Sequence, residues 1–232
     1  AYCAGADLSH MNLSGVDLTG IDLRGANLQN TIFDYATLDY ADLRNIVAFN
    51  ATFIHTGMNE TSLQDAEFNR YSASECGGLC GAAILAHAEI KNADSTNAYL
   101  RNADLTNANL ENTDLTDANL QNTDLTSAYL RDADLTSAYL RYVDLTNADL
   151  YSADLIDANL LEANLNNADI RFADLSSVNL AYSDLTDANL FAVNLNNGYF
   201  YNSDLTNANL RYANLTDCLL YTSPSPRDQE AS

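Results

Sequence analysis

Three histidines, four cysteines and 32 acidic side chains are the groups in this chain that could do chemistry. His10, His55 and His87 are far apart in sequence, and none belongs to a Ser/His/Asp, HExxH, phosphate-loop or GxGxxG arrangement. The Asp residues recur at fixed intervals instead of gathering around a pocket, so no acid/base pair or nucleophile emerges and catalysis is not expected. Cys76 and Cys80 form a C-x3-C pair that suits either a disulfide in an oxidising compartment or two unpaired thiols. A zinc site would need more ligands than the neighbouring His87 supplies. Cys3 is read as a cap on the first structural unit and Cys218 as a buried small side chain. No metal or other cofactor is expected.

The charge balance narrows the partners. Thirty-two acids against 10 bases give a formal charge of −22, which disfavours direct contact with nucleic acid or anionic lipid. A 47% hydrophobic content is too high for a disordered acidic tail, and no run reaches the ~20 apolar residues of a membrane span. Leu (35 residues) and Asn (29) dominate, Trp is absent and Pro occurs twice, a bias unlike that of a mixed enzyme domain. An ordered, soluble, acidic protein that binds other proteins fits these limits.

A repeat of five residues must position these groups. From Ala103 the chain reads ADLTN ANLEN TDLTD ANLQN, and the central position recurs 27 times from Ile90 to Leu220. Leu fills 23 of those centres, and Ala fills 18 of the 27 positions two residues earlier. A second block in a different phase runs from Leu8 to Phe68, with Ala48 its weakest centre. Within a unit, two inward residues flank one outward residue, as in a strand, and the other outward residues include a turn. Four such corners close a coil of about 20 residues, so the expectation is a solenoid in which each coil buries the next, roughly 30 Å long over the second block. Both Pro residues fall outside the repeats, as ladder hydrogen bonding requires.

The A(D/N)LXX units resemble the pentapeptide-repeat family, in the Leu-centred form common in cyanobacteria and plastids. The resemblance covers about residues 1–70 and 88–220. It implies an all-β solenoid, a right-handed quadrilateral β-helix, built here as two blocks with a phase slip and an interrupting loop. Residues 1–70 form the N-terminal block, 71–87 the interruption, 88–220 the main block and 221–232 an irregular tail. The interruption, YSASECGGLCGAAILAH, is read as a bulged coil that absorbs the slip or as a projecting recognition loop. The stretch CGAAILAHAEI also fits a short helix. The run CLLYTSPSPRD resembles a stretch recurring at the ends of translated transcript assemblies, so the tail is expected to be non-native. The start at Ala1 suggests a processed precursor or a partial chain. Sequons at Asn12, Asn50, Asn59 and Asn214 arise from the repeat itself and imply no glycosylation.

Residues 20 apart should stack. The position before the centre then forms one acidic column, Asp104, Asp124, Asp144, Asn164, Asp184, Asp204, and an opposite one, Asp114, Asp134, Asp154, Asp174, Asn194, Asn214. Like charges ~5 Å apart repel by roughly 1 kcal/mol in water, so the columns either keep the rod soluble or serve a basic partner. Loose cation binding is a weaker alternative, because no convergent cage forms. Between the columns runs Glu111, Arg131, Tyr151, Arg171, Phe191, Arg211, with Tyr142, Phe172, Tyr182, Tyr201 and Tyr212 adding outward aromatic surface. Tyr and Arg anchor interfaces, so this is the expected interaction face, with internal cation–π stacking as the plainer alternative.

The expected function is that of a non-catalytic structural or protein-interaction rod, with one or more protein partners. The resemblance suggests an accessory subunit of a plastid photosynthetic membrane complex, with the thylakoid lumen as its compartment and the cytoplasm as the alternative; a homodimer is also open. The rival is an acidic DNA mimic that binds a type II topoisomerase, as quinolone-resistance members of the family do. Those relatives have Phe-rich centres in one half and dimerise through a C-terminal region, whereas nearly all centres here are Leu.

Overall fold

Each five-residue unit repeats one backbone manoeuvre. Within the computed structural model, which describes residues 2–69 and 83–219, the chain turns through the two residues after every centre. The second of these has φ between 54° and 64° where it is not Gly. The next amide closes the turn onto the centre's carbonyl, as where Ala108 N–H donates to Leu105 O at 2.9 Å. Positive φ at the third residue of a β-turn is the type II signature, which Gly and Asn tolerate best. Gly5, Gly15, Gly20 and Gly25 fill it in the first coils, and Asn is the commonest residue there afterwards.

Four turns bring the chain back under itself. Within each block, bridges pair the residue before a centre with the one 20 further on, in parallel, as in Asp104↔Asp124↔Asp144. A unit inside the rod gives two donors forward and one back: Leu105 N–H to Asp124 O (2.8 Å), Asn107 N–H to Thr126 O (3.0 Å), and Asp124 N–H to Ala103 O (3.0 Å). Extended structure is mostly these single bridges. Two runs are longer, β1 (Glu67–Asn69) and β2 (Tyr99–Leu100), which pair in parallel. The architecture is a β-solenoid of about ten coils, or ~48 Å of rod at strand spacing.

The interior is two residues wide. Leu105, Leu125, Leu145, Leu165 and Leu185 stack with at most 1% exposure, and Ala fills the smaller slot beside most centres. Where that slot holds a hydroxyl, it donates to a centre carbonyl, either of the preceding coil, as in Thr31 to Leu8 O (2.8 Å), Thr113 to Ile90 O (2.6 Å), Thr123 to Leu100 O (2.8 Å) and Ser183 to Leu160 O (2.7 Å), or three residues back, as in Thr61 to Met58 O (2.7 Å) and Ser203 to Phe200 O (2.9 Å). Thr and Ser therefore replace Ala without burying an unsatisfied group. Gly198 occupies the small slot beside Phe200, because a Cβ there would meet that ring at 2.7 Å. In the N-terminal block, Phe33 stacks on Phe53 at 5.0 Å and Phe53 meets Phe68 edge-on at 5.7 Å. Cys218 is half-buried and donates its thiol to Leu195 O at 2.8 Å. Cys3 takes a centre position in the first coil, five residues before Leu8, and packs against the core.

The two blocks stack as one column of coils. Thr52 bridges Ile84, Gly57 bridges Glu89, Ser62 bridges Asp94 and Glu67 pairs with Tyr99, a separation of 32 in each case. The phase slip is thus a coil of 20 plus 12 extra residues. Ala83–His87 is a regular unit, with Leu85 fully buried at its centre, so the repeat resumes five residues before the boundary the sequence suggested. Residues 83–90 form bridges and turns, not the short helix that their apolar run fits. The rest of the interruption, including Cys76 and Cys80, and the tail from 220 lie outside the described residues.

This register makes a direct prediction. Deleting residues 70–81 joins Asn69 to Ala82 and restores an uninterrupted 20-residue spacing. The shortened chain should keep the circular-dichroism spectrum of the intact one, with Tm within a few degrees. Loss of cooperative unfolding would mean that the coils at 52–67 and 84–99 are not stacking partners.

Candidate functional site at an aromatic corner beside an acidic column

The acidic columns begin as a local requirement of the turn. An Asp before a centre can accept a hydrogen bond from the amide two residues on, as Asp104 does from Thr106 (3.0 Å), and the Thr106 hydroxyl adds a second bond at 2.5 Å. Asn performs the same service, Asn109 Oδ1 accepting from Glu111 N–H at 3.3 Å. Either residue caps the turn, so the fold does not decide between them. The bridges place Asp104, Asp124, Asp144, Asn164, Asp184 and Asp204 in one column and Asp114, Asp134, Asp154, Asp174, Asn194 and Asn214 in the other, half a coil away. Among the described residues, no Lys or Arg pairs with any Asp of either group.

The second column behaves differently nearer the N-terminus. It continues down the rod through Asp94, Ser62, Asp42 and Asp22. There Arg24 pairs with Asp22 (2.7 Å) and Asp42 (3.4 Å), and Arg44 with Asp42 (2.6 Å). The Arg24 guanidinium holds the Asp22 carboxyl down at about 2. In the main block other groups carry the charge. Burial pushes Asp174 upward, but the Ser176 hydroxyl and amide and the Asn194 side chain, at 3.1 Å from both oxygens, outweigh it and leave the carboxyl below its usual value. Asp154 has Ile156 where its neighbours have Thr or Ser, and its carboxyl is raised by burial and by Asp134 and Asp174.

An aromatic ladder runs along the corner next to this column. Tyr151, Phe172, Phe191 and Tyr212 come from four successive coils and meet edge to face, with centroids 5.3, 5.7 and 5.2 Å apart. Arg131 and Arg171 lie over the Tyr151 ring at 5.5 and 5.4 Å, and Arg211 over Tyr212 at 5.8 Å. Asp149 accepts from Arg131 at 2.5 Å, and Asp169 binds Arg171 through two bonds of 2.7 and 2.6 Å. Phe172 keeps 48% and Tyr212 75% of its surface exposed. The remaining aromatics, Tyr142, Tyr182 and Tyr201, lie on another corner half a coil away, so the ten residues form two sites and not one face. At that corner Tyr182 meets Tyr201 at 5.3 Å, and Arg141 donates to the Tyr142 hydroxyl at 2.7 Å.

A family model described as "Pentapeptide repeats" matches the chain in eight copies, among them residues 1–38, 12–47, 82–117, 96–132, 113–150, 144–180 and 183–220. The chain belongs to the pentapeptide-repeat family. No curated protein matches it. Among solved structures it is similar to HetL, a pentapeptide repeat protein involved in heterocyst differentiation regulation from the cyanobacterium Nostoc sp. strain PCC 7120. That likeness has 29% identity and a TM-score of 0.36, covering 89% of this chain and 87% of that one. It is also similar to full-length QnrB1, a plasmid-mediated fluoroquinolone resistance protein, with 17% identity, a TM-score of 0.39 and 94% of each chain covered. A pentapeptide repeat protein from the Arabidopsis thaliana thylakoid lumen is 29% identical over 41% of this chain and 63% of its own, with a TM-score of 0.28.

Other features of this pentapeptide-repeat chain escaped the sequence. Tyr35, His55 and His87 stack at 5.1 and 4.8 Å across the junction of the two blocks, a column visible only once the 12 extra residues are counted. Asn97, Tyr99, Asp117, Asn119 and Tyr139 line a shallow groove of ≈ 400 Å³, in which Asp117 is the sole carboxylate. Among the described residues, no three His, Cys, Asp or Glu side chains are placed to hold a metal, and no helix is long and apolar enough to cross a membrane.

The two kinds of carboxylate should respond oppositely to pH. Ionised Asp154 opposes folding, because its folded pKa is raised; that cost is absent in acid and grows as pH rises through the carboxylate range. Asp154→Asn should therefore raise Tm at pH 7 and lose its advantage in acid. Asp22→Asn should lower Tm at pH 7, because the stabilisation from a depressed carboxyl is present above its ordinary value of 3.8 and disappears as pH falls through about 2. Thermal melts of both variants between pH 2 and 7 check the two signs.

Proposed function

We propose that this chain is a non-catalytic docking rod, with the right-handed, four-sided form of its family, that holds a protein partner through the Tyr151–Phe172–Phe191–Tyr212 corner. One observation carries the reading. Four aromatic side chains form an unbroken ladder on the outside of a protein that already has a complete core, and exposed aromatic surface with Arg beside it is the usual composition of an interface centre. The coils of residues 2–69 and 83–219 act together as a rigid arm behind it. The Leu-centred repeat type supports a finer assignment, an accessory subunit of a photosynthetic membrane complex in a plastid, on its lumenal side.

The acidic columns favour a second reading, mimicry of DNA before a topoisomerase. One carboxylate per ~4.8 Å coil in each column is sparser than the 3.4 Å phosphate spacing of a DNA strand. The Phe residues of the ladder also have no part in such mimicry.

A photo-crosslinker at position 172, introduced into the chain in native membranes, should join it to one partner, and Tyr151→Ser with Phe191→Ser should abolish the product without lowering Tm by more than a few degrees. Crosslinking unaffected by the double substitution would defeat the docking reading. Inhibition of gyrase supercoiling by micromolar protein would support the DNA-mimic reading in its place.

A further inference from the structure

Building on the docking reading of this corner, we infer that the partner presents a basic amphipathic helix along the rod, its apolar stripe on Phe172 and Phe191 and its Lys and Arg residues on Asp154 and Asp174. Three features select that chemistry.

The first is an exposed apolar ring. Phe172 (φ 63°) and Tyr212 (φ 64°) sit at the left-handed turn position, where Asn is the usual occupant. Tyr35, Tyr40, Tyr142 and Tyr182 hold the same conformation, so what distinguishes position 172 is the apolar ring it carries. The Phe172 ring is half exposed and carries no polar tip, so water does not satisfy it. An apolar partner surface does.

The second is charge left uncompensated where the chain shows how to compensate it. In the same column Arg24 and Arg44 neutralise Asp22 and Asp42 from two residues downstream. At the equivalent places beside Asp154 and Asp174 stand Ile156 and Ser176, so neither has a cation, and Asp174 is held only by the neutral donors of Ser176 and Asn194. Arg131 and Arg171 are bound by Asp149 and Asp169 and are not paired with this column. Burial and the flanking acids already raise the Asp154 carboxyl, so a cation from outside would relieve a real cost.

The third is geometry. Asp154 follows Tyr151 by three residues and Asp174 follows Phe172 by two, so carboxylates flank the first two rungs of the ladder, while Asn194 and Asn214 flank Phe191 and Tyr212. A helix presents an apolar and a basic stripe next to each other, and its 5.4 Å turn nearly matches the ~4.8 Å coil spacing. An extended segment sends alternate side chains to opposite sides. Five coils, from Asp114 to Asn214, span about 24 Å, the length of a helix of about 16 residues. Nucleic acid and anionic membranes are repelled by the same acids.

The test uses the full chain and a fluorescein-labelled Lys/Leu amphipathic 16-mer, read by fluorescence anisotropy, with a scrambled peptide of identical composition as control. The amphipathic probe should bind more tightly than the scrambled one and weaken with salt. Phe172→Asn should raise Kd by about tenfold while leaving Tm no lower than wild type, because Asn suits the turn. The pair Asp154→Asn and Asp174→Asn should weaken binding comparably, and Asp104→Asn with Asp124→Asn, on the other column, should leave it unchanged. Equal binding of both peptides, or an equal loss with the Asp104 and Asp124 pair, would reduce the effect to attraction by net charge and overturn the inference. No binding of the 16-mer, with the position-172 crosslink to a native partner intact, would remove the basic helix and leave the docking reading standing.

Discussion

A residue in the left-handed region once every five positions is the constraint on which this molecule depends. It fixes the turn, and four such turns give the 20-residue register in which every coil hydrogen-bonds to the next. Once that register exists, each side chain has a neighbour of the same kind one coil above and below. The interior then accommodates only one large and one small residue per unit, which leaves no volume for an enclosed cleft. Recognition chemistry has to be written on the outside, as columns. The shape of the protein and the kind of work it can do follow from the same backbone angle.

The sequence made the inside of the rod legible because every inward position has one environment. Leu at the centre, Ala before it, and even the weak centre Ala48, fully buried in the structure, follow from counting by five. Counting failed at Ala83–His87, where a run of small apolar residues resembles a helix and only the bridge to Thr52 shows that Leu85 is a centre. Outward positions were harder. Whether two exposed aromatics share a corner depends on which quarter of the coil each occupies, and Tyr142 and Tyr182 proved to lie away from Phe172 although all three follow a centre by two residues. The hydrogen bonds that reveal Asp as a turn cap, and the cross-coil reach of Arg131 to Asp149, are three-dimensional facts with no periodic signature.

Net charge acquires a different meaning in this light. Because Asn and Asp cap the turn equally well, the backbone tolerates any mixture of the two, and repulsion along a column favours Asn. The amide of Asn194 relieves Asp174 by donating to both carboxylate oxygens. Near the N-terminus the relief comes instead from Arg24 and Arg44. From Asp114 to Asp154 neither device is used, so the charge there is an excess over what folding requires. The formal −22 is an average over a neutralised stretch and an unneutralised one.

The aromatic ladder obeys a rule that the rest of the chain makes visible. Rings in the same slot of successive coils stack nearly parallel: Phe33 on Phe53 with 10° between planes, and His55 on His87 with 19°. Rings that alternate between the two turn positions meet edge to face: Tyr151 with Phe172 at 60°, Phe172 with Phe191 at 72°, Phe191 with Tyr212 at 76°. Coil spacing of ~4.8 Å favours the parallel arrangement, whereas the ring quadrupole favours the tilted one, and only a lateral offset permits the second. Alternation supplies the offset, and it forces every other ring into the left-handed position. Strain at Phe172 and Tyr212 and the tilted geometry of the ladder are therefore two aspects of one arrangement. A tilted ladder turns some ring faces toward Arg131 and Arg171 and others away from them. A parallel stack would have hidden all but its ends.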